Sequence, residues 1–290
     1  MSIYQLSDKR LLFIHFLRLD EIGYWSEIKL DIVKKYAKAY STIINAQSNI
    51  QGHVYIDAFA GAGVHISKQT NEFVPGSPLN ALNVKPPFKE FHFIDLDGGK
   101  ANALRNLCVN YCNVNVYEGD CNDLLLEKIL PLVKYSDYRR GLCLLDPYGL
   151  HLNWEVVQTA GQMKSVEIFL NFPVMDMNMN VLWTDPRKVP TAQVARMNAF
   201  WGDDSWRTVA YTRTKGLFGD IEEKAGIETL ARAYQHRLES AAGFAYVPDP
   251  IPMRNSRRAI VYYLFFASPN NTGAKIVKEI FDKYRNRGIA

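Results

Sequence analysis

Four aspartates each follow closely on a run of strand-forming residues: Asp57 in "HVYIDAF", Asp95 in "EFHFIDLD", Asp120 in "VNVYEGD" and Asp146 in "GLCLLDPYG". In a parallel sheet the carboxyl ends of the strands share one edge. Four acids so placed can converge on one crevice, which is where open α/β sheets bind ligands. The first is followed at once by the small-residue loop Phe59-Ala60-Gly61-Ala62-Gly63, whose glycines let backbone approach a ligand closely. An acid ending the second strand suits the paired hydroxyls of a ribose, and one after the third can accept from an adenine amino group. Acids also end strands as turn formers and helix caps, so no single one is diagnostic.

The loop excludes two common phosphate sites. A dinucleotide fingerprint needs a third glycine near position 66, where Ile66 stands, and no Gly-Lys-Ser/Thr follows as in a nucleoside triphosphate loop. Nor does a helix open directly after the glycines. The next one is expected at "SPLNALNV", with Ser77 as its cap and Pro78 in its first turn. A ligand carrying adenosine but no pyrophosphate fits these features, and S-adenosylmethionine is such a ligand. Asp57, Phe59, Gly61, Gly63, Asp95 and Asp120 are its expected binding residues.

"LLDPYGL" (144–150) carries the second signal. Methyltransferases acting on the amino groups of bases have an acid or amide, then proline, then an aromatic, after the fourth strand. An exocyclic amine is a poor nucleophile because its lone pair is delocalised into the ring. Hydrogen bonds from its N–H groups to the Asp146 carboxylate and the Pro147 carbonyl would localise that pair and aim it. Tyr148 would stack on the planar target. These three are the expected catalytic residues. Glycine follows the aromatic where a second proline is usual, and Asp-Pro-Tyr-Gly resembles the motif of the tRNA guanine-N2 dimethyltransferases. A proline-containing turn at a strand end is the plain alternative.

The elements that must position these residues alternate. "SEIKLDIVKKYAKAYSTII" (26–44) places Ile28, Ile32, Tyr36, Tyr40 and Ile43 on one face of an amphipathic helix. Apolar strand runs then recur through "VEIFLNF", with helical stretches between most of them, notably 98–110 and 152–163. Nearly all-apolar strands alternating with helices predict a Rossmann-like α/β fold, a mostly parallel sheet covered on both faces. "GFAYVPDPIPMRNSRRAIVYYLFFAS" predicts two strands with no helix between, adding an antiparallel edge, and a basic amphipathic helix follows. A mostly helical insertion over 174–240, after the fifth strand, can overhang the carboxyl edge. One domain over 1–290, with an N-terminal helical segment over 1–50, is the expected organisation.

At 290 residues, with 48% hydrophobic and 22% charged residues, the composition is that of a soluble globule. No apolar run approaches the roughly 20 residues that span a bilayer, so no membrane partner is expected. The short apolar stretch near the start lacks a small-residue cleavage site, which makes the cytoplasm the expected location. Cys108, Cys112, Cys121 and Cys143 match neither zinc-hook nor disulfide spacing, and no metal is expected. Cys108 and Cys112 have the spacing of the first two ligands of a radical-type iron–sulfur loop, but Asn115 stands where the third would be. A formal charge of +4 permits a polyanion partner.

Nearly end to end, the chain resembles the three-Cys-motif partner proteins (TcmP). The resemblance is carried by the collinear order of "EIKLDIVKKYAKAY", "YIDAFAGAG", "PGSPLNAL", "FIDLD", "LLDPYGL", "FLNFP", "PMRN" and "YYLFFAS". It implies a class I methyltransferase fold and a neighbouring partner that carries the three cysteines. This chain has Gly61-Ala62-Gly63 where the family tends toward Gly-Pro-Gly.

His65 is expected in a solvent-facing loop, and His151 could reach the site as a base. "MDMNMNVLW" (175–183) reads as a flexible lid or as core. Arg254, Arg257 and Arg258, with Lys275, Lys278, Lys283, Arg285 and Arg287, suit phosphate contact or a solvated face. The function that follows is methylation of an amino nitrogen with S-adenosylmethionine, on a nucleobase of RNA or DNA. The alternative is a cofactor-fold partner that docks or regulates its three-cysteine neighbour without methyl transfer.

Overall fold

The computed structural model describes residues 19–216 and 219–285. The first eighteen residues of the expected N-terminal segment, and Arg287, lie outside them. Seven strands form the main sheet: β1 (Gly52–Asp57), β2 (Glu90–Asp95), β3 (Val114–Glu118), β4 (Arg139–Leu145), β5 (Val166–Phe172), β6 (Ile251–Arg254) and β7 (Ile260–Ala267). Their order across the sheet is β6-β7-β5-β4-β1-β2-β3. The first five are parallel, while β7 runs antiparallel to both β5 and β6. A reversed last strand slotted between the fifth and sixth is the topology of the Rossmann-like class I methyltransferase fold. The expected antiparallel edge is thus confined to β7, which stands second from the edge.

Every residue of β1 and β5 is buried, as a parallel sheet covered on both faces requires. On one face lie α1 (Tyr24–Asn45), α2 (Ser77–Leu82), α3 (Gly98–Leu107) and, later in the chain, α8 (Asn271–Arg285), whose Tyr36, Leu82, Leu104 and Phe281 share one apolar cluster. On the other lie α4 (Trp154–Met163), α5 (Val174–Asn180), α6 (Thr191–Trp201) and α7 (Ile227–Ser240), which contribute Val157, Met177, Phe200 and Tyr234. α1 runs counter to the strands. Lys29 meets the carboxyl edge at Asp146, and Tyr40 lies beside His53 at the start of β1.

Three details differ from expectation. Gly76, not Ser77, is the residue before α2, and Ser77 and Pro78 form its first turn. The segment between the glycine loop and α2 is a hairpin, Val64–Ser67 with Phe73–Pro75, to which Glu21–Ile22 adds a parallel strand. The 174–240 stretch also contains strands, Tyr211–Gly216 paired with Gly219–Lys224, between α6 and α7.

Candidate active site

The glycine loop is built around two carboxylates with different surroundings. Asp57 is wholly buried, and its Oδ1 accepts the Phe59 N–H at 3.3 Å, while Oδ2 has no hydrogen-bond partner among the described residues. Burial pushes this carboxyl up to about 7, opposed by the Ser77 side chain and reinforced by the charge of Asp146. Asp95 stays at the surface of the loop. Its Oδ2 accepts the Gly61 N–H at 2.8 Å and its Oδ1 the Asp97 N–H at 2.9 Å. Gly61 (φ +63°) and Gly63 (φ +85°) both hold the left-handed backbone that favours glycine. A Cβ on Gly63 would lie 2.9 Å from Leu104 Cδ1, and its carbonyl accepts the Gly76 N–H at 2.8 Å. Gly63 is therefore where the loop packs against α3. Neither Asp57 nor Gly63 is among the residues that line the two clefts described next.

A cleft of about 560 Å³ opens over β1, β2 and β3. Phe59, Asp95, Leu96, Gly119, Asp120, Tyr148 and His151 are among its lining residues. Asp120 Oδ1 accepts the Asn122 N–H at 2.7 Å and Nδ2 at 2.9 Å, and so caps the helical turn that starts at Cys121. The two acids thus do the turn-forming work that strand-end acids commonly do, yet both still face the cleft. A carboxylate has about four acceptor positions, and the contacts named use two on each. Between them Leu96 is 75% exposed, an apolar surface beside acceptors.

A second cleft, of about 620 Å³, lies over β1, β4 and β5 and is lined by Lys29, Gly61, His65, Asp146 and Asn171 among others. Both oxygens of Asp146 already have a partner there. Its Oδ2 accepts from the Lys29 ammonium and its Oδ1 from Asn171 Nδ2 at 2.9 Å. The Lys29 side chain is 9% exposed. The side-chain oxygen of Asn171, Oδ1, is buried with no hydrogen-bond partner among the described residues. His65 stands on the hairpin strand and lines the cleft wall, not a solvent-facing loop, and burial lowers its pKa, which favours the neutral imidazole.

Phe59 and Tyr148 are common to both clefts, so they form the partition. Tyr148 is 68% exposed. Its hydroxyl donates to Asp20 Oδ2 at 3.3 Å, and Lys100, which binds the same carboxylate at 2.6 Å, stands 5.7 Å over its ring. Pro147 lines the second cleft, and its carbonyl already accepts the Gly149 N–H at 3.0 Å.

Lys29, Asn171 and Asp20 were not among the sequence-derived candidates. The first two lie inside motifs quoted above, "EIKLDIVKKYAKAY" and "FLNFP", but neither stretch says which residue turns inward. Of the basic residues, Arg254 donates to the Arg258 carbonyl at 2.9 Å across the β6–β7 turn. That turn stands on the carboxyl edge, and Val261 and Tyr262 just after it line the second cleft. Arg285 donates to the Pro250 and Asp249 carbonyls at 3.2 and 3.3 Å, so it serves the fold. Cys108, Cys121 and Cys143 are buried thiols and Cys112 is exposed. Among the described residues, no helix is long and apolar enough to cross a membrane.

No protein-family model matches the chain, and no curated protein does. Solved structures with a similar arrangement include protein LPL1258 from Legionella pneumophila, a DUF519 protein, at 12% identity over 89% of this chain and 91% of that one, with a TM-score of 0.45. The methyltransferase domain of a bacterial CtHen1 matches at 7% identity over 81% and 99%, with a TM-score of 0.40. The METTL16 methyltransferase domain matches at 12% over 81% and 67%, with a TM-score of 0.39. The fold assignment rests on strand order and register, not on these likenesses.

Proposed function

We propose that the chain is an S-adenosylmethionine-dependent methyltransferase that acts on an amino nitrogen of a nucleobase in RNA or DNA. One observation carries this reading: Phe59 and Tyr148 separate a cleft that presents Asp95 and Asp120 from a cleft that presents Asp146. The residues of the first fit an adenosine. Asp95 suits the ribose hydroxyls, Asp120 the adenine amino group, and exposed Leu96 the apolar face of the ring. When bound, the cofactor supplies an electrophilic methyl group.

In the second cleft Asp146 and the Pro147 carbonyl accept the N–H groups of the target amine and hold its lone pair along the transfer direction. Each oxygen must then accept a second hydrogen bond beside the one it already has, or Lys29 must turn aside. The His65 imidazole in the same cleft is positioned to accept the proton that a methylated amine sheds. The exposed ring of Tyr148 suits stacking on a base. Arg254 and Arg257, exposed at the β6–β7 turn on the same edge, suit phosphate.

A second reading has an observation of its own. Lys29 and Asn171 engage both oxygens of Asp146, as in an ion pair that only joins α1 to the sheet. This favours a cofactor-fold binding partner for the three-cysteine protein that the sequence resemblance implies.

Calorimetry with S-adenosylhomocysteine, and transfer of a labelled methyl group to RNA and DNA, test both. Asp146→Asn should lower transfer by about 100-fold while leaving cofactor affinity within about twofold. No binding at millimolar cofactor would sink the enzyme reading. Binding without transfer, with an interaction to the neighbour that survives Asp146→Asn, would favour the second.

A further inference from the structure

The turn that carries Asp146, Pro147 and Tyr148 is not held by its own strand alone. Gly149, its fourth residue, has φ +83°. A Cβ there would lie 2.5 Å from Asp176 Oδ2. The space a side chain would take is filled by a carboxylate from α5, in the insertion. That same oxygen accepts the Leu150 N–H at 2.8 Å and Arg196 Nη2, from α6, at 2.9 Å. Asp176 Oδ1 accepts Asn180 Nδ2 at 2.5 Å, one turn further along α5. Leu150 is buried, and the bond to its amide is partly buried. Arg196 Nη2 also lies 3.5 Å from His151 Nε2, just past the turn. The glycine that replaces the usual second proline of the motif is therefore the residue that admits the clamp.

We propose that Asp176, anchored by Arg196 and Asn180, is a positioning residue that fixes the Asp146–Gly149 turn and makes the insertion part of the catalytic apparatus. The proposal rests on the methyltransferase reading for its functional half and on geometry alone for its structural half. Asp176 also lines the second cleft, but the role assigned to it acts through the turn. It sets where the Asp146 carboxylate and the Tyr148 ring stand relative to the cofactor cleft, and misplacement by about 1 Å can cost on the order of 100-fold in rate.

Hydrogen exchange of the full chain, followed at the Leu150 amide, and the methyl-transfer rate with labelled S-adenosylmethionine test the two halves together. In Asp176→Ala the Leu150 amide should exchange about tenfold faster or more, while core amides of β1 and β4 keep their protection. Asp176→Asn retains an acceptor and the volume but loses the charge opposite Arg196. It should fall between wild type and Asp176→Ala in both readouts, and it guards against a simple folding defect. In an active chain kcat should drop about tenfold or more with the KM for the cofactor within about twofold, a split that general loosening of the fold would not give. An unchanged Leu150 amide in both variants overturns the clamp. Faster exchange with wild-type kcat overturns the positioning role. Faster exchange in a chain that methylates nothing, variant or not, upholds the clamp and defeats the methyltransferase reading instead.

Discussion

The Lys29 ammonium donates to the Asp146 carboxylate across 117 residues of sequence, joining the first described helix to the turn after β4. Lys29 is the more deeply buried partner, with side-chain exposures of 9% and 23%. Removing one member of such a pair leaves the other uncompensated, which typically costs more than the pair contributes. Asp146→Ala should therefore destabilise the chain by about 2–4 kcal/mol in urea unfolding. The double variant Lys29→Met/Asp146→Ala should recover at least about 1 kcal/mol of that. Strictly additive losses would show that the pair is not coupled. The same reasoning makes Asp146→Asn the cleaner variant for a transfer assay.

Asp95 ties two loops to one carboxylate, through the amides of Gly61 and Asp97. Asp95→Ala should weaken S-adenosylhomocysteine binding by about 1.5–3 kcal/mol, from the lost acceptor and the loosened loops together. Asp95→Asn keeps one carbonyl acceptor and should lose less. Calorimetry on the three proteins gives the ranking, and equal affinities would remove Asp95 from the cofactor site.

The two glycines of the loop should separate in their behaviour. Gly63→Ala meets both a left-handed backbone and the side chains of Leu104 and Leu107, at 2.9 and 3.2 Å. It should lower stability by about 1–3 kcal/mol. Gly61→Ala has the backbone cost but, among the described residues, its nearest neighbour is His65 Cε1 at 3.8 Å, so thermal unfolding should show the smaller loss, about 1 kcal/mol. A Gly63→Ala protein as stable as wild type would contradict the packing role.

Away from the site, Glu167 on β5 is buried and accepts from the Tyr36 hydroxyl and, at 2.8 Å, from Ser268 Oγ. Burial pushes its carboxyl up to about 7, held back by these two bonds. Below about pH 4.5 it is protonated in both states and sets no pH dependence. As pH rises toward 7 the unfolded chain releases the proton while the folded one retains it, so stability falls across that window. Glu167→Gln removes this titration. The difference in unfolding free energy between variant and wild type should move in favour of the variant by about 2–3 kcal/mol between pH 5 and pH 8. A constant difference across that range would mean Glu167 titrates normally.

The fold was legible because β1 and β5 are mostly apolar, strand-forming runs and the four aspartates fall at or just past strand ends. Asp95, Asp120 and Asp146 reach a cleft for that reason. Asp57 and Gly63 belong to the same pattern but turn inward, since a buried acid and a packing glycine use the residue types that a ligand site would use. The Lys29–Asp146 pair was hidden by its separation, which no periodicity reports. His65 was hidden because the hairpin that turns it into the cleft is only visible once Val64–Ser67 pairs with Phe73–Pro75. "MDMNMNVLW" divides instead of choosing: Met177 is buried core, Met175 and Met179 are exposed at the second cleft, and Asp176 between them reaches back to the turn.

Strand order also fixes an order in time. β5 is buried throughout and pairs on one side with β7, Asn171 opposite Leu264. On a ribosome, the whole 173–259 stretch must be made before any of β7 exists, which takes on the order of ten seconds at ordinary elongation rates. Through that interval β5 carries an open, apolar edge that any passing strand can pair with. The helices of 174–240 emerge in time to cover one face of β5, but they cannot cap its edge. The nascent chain is thus most exposed to mispairing while the insertion is being synthesised, and the wall of the second cleft that Tyr262 provides is completed only as β7 docks.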